Sequence, residues 1–169
     1  MPAHEWPPEI VDLNTFGEEF QRETDRGAAL VAAALIDHYL ADILRAYMIS
    51  NKAASALLDG GTAPLSTFSS RIDAAYALGL INSYERADAH NIRRIRNEFA
   101  HSKHGTTFKG EKISSLCHVL KGYLSKRERT DQRQMFIQAT LFLAGNLLYR
   151  ALSVTAVGLV RHAEQTAKG

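Results

Sequence analysis

Apolar residues recur at intervals of three and four along most of the chain. That spacing keeps one face of an α-helix against a core. Residues 1–11 read as an extended leader that Pro8 ends, and Leu13, Phe16 and Phe20 mark a first short helix. Thr24 or Asp25 caps the next, since both side chains accept hydrogen bonds from free backbone N–H groups. It runs from about Arg26 to Ile49, with Leu30, Ala34, Asp37, Leu40, Ile43 and Leu44 marking its faces. Ala28, Ala29, Ala32, Ala33 and Ala34 keep it slim, so neighbouring helices can approach closely. A short helix over Lys52–Leu58 stops at Asp59-Gly60-Gly61. Ser66 or Thr67 caps a helix through Ile72, Tyr76 and Leu78, which stops at Gly79.

Asn82 or Ser83 caps the following helix, with an expected buried stripe of Tyr84, Ala87, Asn91 or Ile92, Ile95 and Phe99. Residues 102–112 are polar and glycine-containing and read as a loop. A helix over Ser114–Leu124, a charged turn over Lys126–Arg129 and a long last helix from Thr130 or Asp131 to about Glu164 complete the chain. No run alternates apolar and polar long enough for a sheet. The expectation is one all-α domain over 1–169, a compact multi-helix bundle with a long C-terminal helix.

Composition narrows the function classes. The chain has 169 residues, 46% hydrophobic and 22% charged, with a formal net charge of +2. It carries no global cationic field of the kind that draws a protein to nucleic acid. The N-terminus lacks the charged and apolar regions of a signal peptide. Cys117, the single cysteine, lies in an apolar run and is expected to be a small buried side chain. With no disulfide framework, a reducing cytoplasm fits. Residues Ala139–Val160 are long enough to span a bilayer. Yet Asn146, Tyr149, Arg150 and Ser153 form one polar stripe there. We expect a core helix, with Arg150 finding a carboxylate or carbonyl inside the protein.

Three kinds of chemistry can be weighed. The helices either side of Gly79 have the outline of a helix-turn-helix. The seam positions of the second helix are Glu85 and Asp88, and the cations Arg93, Arg94 and Arg96 sit at its far end. Base-reading residues belong near the start of a recognition helix, so direct DNA readout is not expected. The seven histidines show no metal-ligand spacing, and neither a metal nor another cofactor is expected. The segment Arg96-Asn97-Glu98-Phe99-Ala100-His101 is the densest polar set. An arginine to hold a phosphate and a histidine to move a proton would serve a metal-independent nuclease. On an ideal helix, however, Arg96 and His101 point about 140° apart. Sharing one site needs a broken helix end or a second chain. Otherwise the set caps a helix C-terminus or holds a ligand. Asp25, Arg26, Ser66 and Arg71 lie at two helix N-termini, natural anion sites, and could join Arg96, Asn97 and His101 in one cleft. The plainer reading is ion pairing, for example of Arg71 with Asp25 or Glu98.

Four segments together resemble the bacterial mannitol operon repressor family. They are Asp25–Leu30, Pro64–Ile72, Ala75–Ile81 and Ile92–His101, in family order. The resemblance implies an all-α regulator without a recognisable DNA-binding module. The spacing of Arg96 and His101 is also similar to the signature of HEPN-type helical domains, some of which are dimeric ribonucleases. That alternative makes Arg96, Asn97 and His101 catalytic. The leading expectation is a cytoplasmic homodimeric regulator that binds a protein partner or a small anionic ligand. Its ligand-binding residues are Asp25, Arg26, Ser66, Arg71, Arg96, Asn97 and His101.

Overall fold

The computed structural model describes residues 8–102, 104–122 and 131–156. Within these residues the protein is all-α, with no strand. The elements are α1 (Pro8–Arg22), α2 (Asp25–Tyr47), α3 (Lys52–Leu58), α4 (Phe68–Ala77), α5 (Ser83–His101), α6 (Glu111–His118) and α7 (Gln132–Ala156).

Helix starts follow the capping chemistry. Thr24 accepts from the Gly27 N–H and opens α2. Thr67 and Ser70 form a reciprocal capping box on α4, and Asn82 and Glu85 do the same on α5. The Asp131 carboxylate accepts from the N–H groups of Arg133 and Gln134 at the start of α7. Between α4 and α5 the chain turns at Gly79, whose φ of +70° suits a residue without a Cβ.

Three boundaries differ from expectation. Residues 8–11 are helical, so α1 begins at Pro8, as a proline in a first helical turn allows. The 102–112 loop ends early, because α6 starts at Glu111. α6 also stops at His118 instead of reaching Leu124. The cause is a competing acceptor: the Asp88 carboxylate of α5 takes the Lys121 N–H at 2.7 Å. Gly122 then runs so close to α7 that a Cβ would stand 2.6 Å from the Ala139 Cα. The charged turn over 126–129 and the extension of the last helix to Glu164 lie outside the described residues.

α2 is the central element, packed on α7, α5 and α4. Its Ala28, Ala29, Ala32 and Ala33 are buried, which brings neighbouring backbones close. Phe20, Phe99, Phe108 and Phe136 fill the space beside it, with ring centroids 5.0 Å apart for Phe99–Phe108 and 5.1 Å for Phe108–Phe136. Each buried phenyl ring contributes roughly 1.5–3 kcal/mol. α2 and α7 are both long and apolar enough to cross a membrane, but 44% and 50% of their most apolar windows are buried inside the bundle. Their apolar faces are used by each other and by the core.

Candidate functional site

Two arginine–carboxylate clusters lie at different places on α5. The first is at its N-terminal end. Glu85 and Asp88 are 7% and 4% exposed and occupy the buried stripe in place of Tyr84 and Ala87. Tyr84 is 66% exposed, contrary to the apolar pattern. Glu85 accepts the Asn82 N–H at 2.9 Å and forms a two-pronged pair with Arg150, at 2.8 and 3.0 Å. Arg150 also donates to the Leu80 carbonyl at 2.9 Å. The expected internal partner of Arg150 is thus both a carboxylate and a carbonyl. Burial raises the Asp88 pKa above the ordinary 3.8, against the backbone N–H groups of Lys121 and Gly122 that favour its charge. A cavity of 440 Å³ adjoins this cluster, with Tyr84, Phe142 and Asn146 on its wall.

The second cluster lies on the α2–α5 seam. Arg71 of α4 donates to the Leu65 carbonyl at 2.8 Å and pairs with Oδ2 of Asp37 at 2.9 Å. The other Asp37 oxygen, Oδ1, is buried and accepts no hydrogen bond. Such an orphan costs about 1–3 kcal/mol. Asp37 lines a cavity of 310 Å³ with Leu30, Ala33, Ala34, Phe68 and Arg96. Arg96 is half-buried and forms no hydrogen bond or ion pair with a described residue. Asp37 and Arg96 thus line one cavity, and no ion pair joins them. Asp37 was not among the expected site residues, although its spacing from Leu30, Ala33 and Ala34 places it on their face.

The other expected residues are spread along or beside this seam. The Arg26 guanidinium donates to the Ser102 carbonyl at 2.5 Å, joining the start of α2 to the end of α5. Arg26 and Asp37 are about 16 Å apart along the α2 axis. Asp25 faces α7 instead, pairing with Arg133 at 3.2 Å and accepting the Phe108 N–H at 3.2 Å. Ser66 donates to the Gly61 carbonyl at 3.4 Å within its own loop. Asn97 is half-buried, and His101 is exposed at the last turn of α5. α5 stays helical through His101, so the early helix end that would bring it round to Arg96 is missing. His101 lines neither of these two cavities. The suggested pairings of Arg71 give way to Asp37, while Glu98 pairs with Lys112 at 2.6 Å.

Among the described residues, no three His, Cys, Asp or Glu side chains gather to hold a metal ion. Cys117 is fully buried, and burial pushes its thiol up to about 12, so it stays protonated at neutral pH.

The fold defines a class: an all-α bundle built around one central alanine-rich helix, with a charged cavity beside it. A solved structure of that architecture is the MtlR–HPr complex from Escherichia coli. The chain is similar to one of its chains with a TM-score of 0.56 and 21% identity, over 85% of this chain and 98% of that one. No family model matches the sequence, and no curated protein does.

Proposed function

We propose that this protein is a cytoplasmic regulator of the MtlR type, working through a protein partner and not by reading DNA bases. The observation that carries the reading is the likeness in fold, over almost the whole length of the other chain, to a chain of a regulator–partner complex. The four sequence segments that resemble the mannitol operon repressor family support it. They fall on α2, α4 and α5, which pack on one another. The burial of Glu85 and Asp88 supports the second half. A recognition helix needs its first turns free to enter a groove, and here those turns carry a structural ion pair and hold the 121–122 backbone.

In this reading the α2–α5 seam is the binding surface. Its working residues in this reading are Arg26, Arg71, Arg96, Asn97 and His101, while Asp25 faces α7 and Ser66 bonds within its own loop. The active unit is a homodimer, which light scattering across a concentration series tests. The partner reading is tested by calorimetric titration of the purified protein with HPr. A saturable one-to-one heat is expected. Its absence, together with specific submicromolar binding of promoter DNA by the protein alone, is the result that overturns the reading.

A further inference from the structure

We propose that the groove between α5 and α6 binds an extended peptide segment, whose backbone amide pairs with the side chain of Asn91. The site is separate from the α2–α5 seam and does not rest on the partner reading: on a helix, Arg94 and Arg96 point about 160° apart. The groove has a volume of 740 Å³ and is lined from both helices. α6 and the turn after it run antiparallel to α5, since Glu98 pairs with Lys112 at 2.6 Å and Asp88 accepts the Lys121 N–H at 2.7 Å. Asn91 and Glu98, both on its wall, are about 10 Å apart along α5, the reach of about three extended residues.

Asn91 is 8% exposed, and its side chain has no hydrogen-bond partner among the described residues. Unlike Oδ1 of Asp37, neither polar atom of its amide is sealed from water. Nearly all of the residue is covered, so the water that reaches the amide comes through the groove that Asn91 lines. A primary amide offers an acceptor beside its donors. The group that meets both is another amide, through its N–H and C=O together. In a helical ligand those backbone groups bond internally, whereas an extended segment leaves them free. Beside Asn91, Leu116 and Val119 supply an apolar wall, and Val119 is 49% exposed. Arg94 stands one turn along α5, exposed and without an ion pair among the described residues. The fitting segment therefore has an apolar side chain over Leu116 and Val119 and an acidic side chain next to it, for Arg94. A nucleotide also offers a base edge to an asparagine and a phosphate to an arginine. The carboxylates of Glu98 and Glu111 line the same groove, however, and repel a phosphate with nearly two negative charges.

The test is an NMR titration of the full chain, following backbone amides with four probes. They are the blocked dipeptides acetyl-Leu-Asp-amide, acetyl-Leu-Lys-amide and acetyl-Ser-Asp-amide, and adenosine monophosphate. The expected result is saturable shifts at Asn91, Arg94 and Leu116 with the Leu-Asp probe. The Ser-Asp probe is expected to bind about tenfold more weakly, for want of an apolar contact. The Leu-Lys probe is expected to bind about fivefold more weakly, since the Arg94 pair is exposed. Asn91→Ala is expected to abolish the response in an otherwise folded spectrum. Arg94→Gln, a surface change, is expected to erase the preference for Asp over Lys. Any of four results overturns the proposal: no dipeptide binds at millimolar concentration, the nucleotide binds more tightly than the Leu-Asp probe, folded Asn91→Ala binds as the wild type does, or Arg94→Gln keeps the full preference. If Asn91→Ala does not fold, the Arg94→Gln comparison decides.

Discussion

The two arginine–carboxylate clusters on α5 are built from the same chemistry and finished differently. At the N-terminal end, Glu85 is met by both prongs of Arg150 and by the Asn82 N–H. On the α2–α5 seam, Arg71 satisfies one oxygen of Asp37 and nothing satisfies the other. Arg96, lining the same cavity, has no partner among the described residues. A buried polar group left unpaired lowers stability. A closed network therefore reads as architecture. An open one leaves hydrogen-bonding capacity unmet, as at Oδ1 of Asp37.

The comparison can be broken at the closed end first. Glu85→Ala removes the Arg150 partner and one half of the α5 capping box. We expect a loss of about 3 kcal/mol in urea unfolding, since breaking one side of a buried pair strands the other charge. A loss near zero would make that cluster ornamental. Next, Gly122→Ala sets a methyl against the Ala139 backbone. Overpacking of this kind costs about 1–3 kcal/mol, and thermal unfolding should report it.

Asp88→Asn tests the same end through pH. The folded Asp88 pKa lies above the ordinary 3.8, because burial disfavours its charge. The folded state thus holds the proton more tightly than the unfolded chain does. The stability this gives is complete below 3.8 and is lost as pH rises through the folded value. Urea unfolding followed upward from about pH 3 should show the wild type losing stability relative to the Asn variant. Parallel profiles would mean that Asp88 does not titrate differently on folding.

Much of the fold was legible because helix starts are local. Thr24, Thr67 and Asn82 cap their helices through bonds that reach only two or three residues. The need of Arg150 for an internal partner was legible too, as a lone cation in an apolar helix. The buried stripe of α5 was not. Apolar spacing picks out Tyr84 and Ala87, while Glu85 and Asp88 are buried because Arg150 and the Lys121 backbone, far along the chain, satisfy them. The premature end of α6 was hidden for the same reason. For the candidate site, sequence supplied Arg71 and Arg96 but not Asp37. Its role appears only when α4 and α5 bring their arginines to α2.

The most direct test is a side-by-side urea denaturation of Arg150→Gln and Arg96→Gln. One arginine closes a structural network and the other is held open. We predict a loss of about 2 kcal/mol for Arg150→Gln and a change within about 0.5 kcal/mol for Arg96→Gln. Equal losses in the two variants would mean that Arg96 is as structural as Arg150, and would contradict the account.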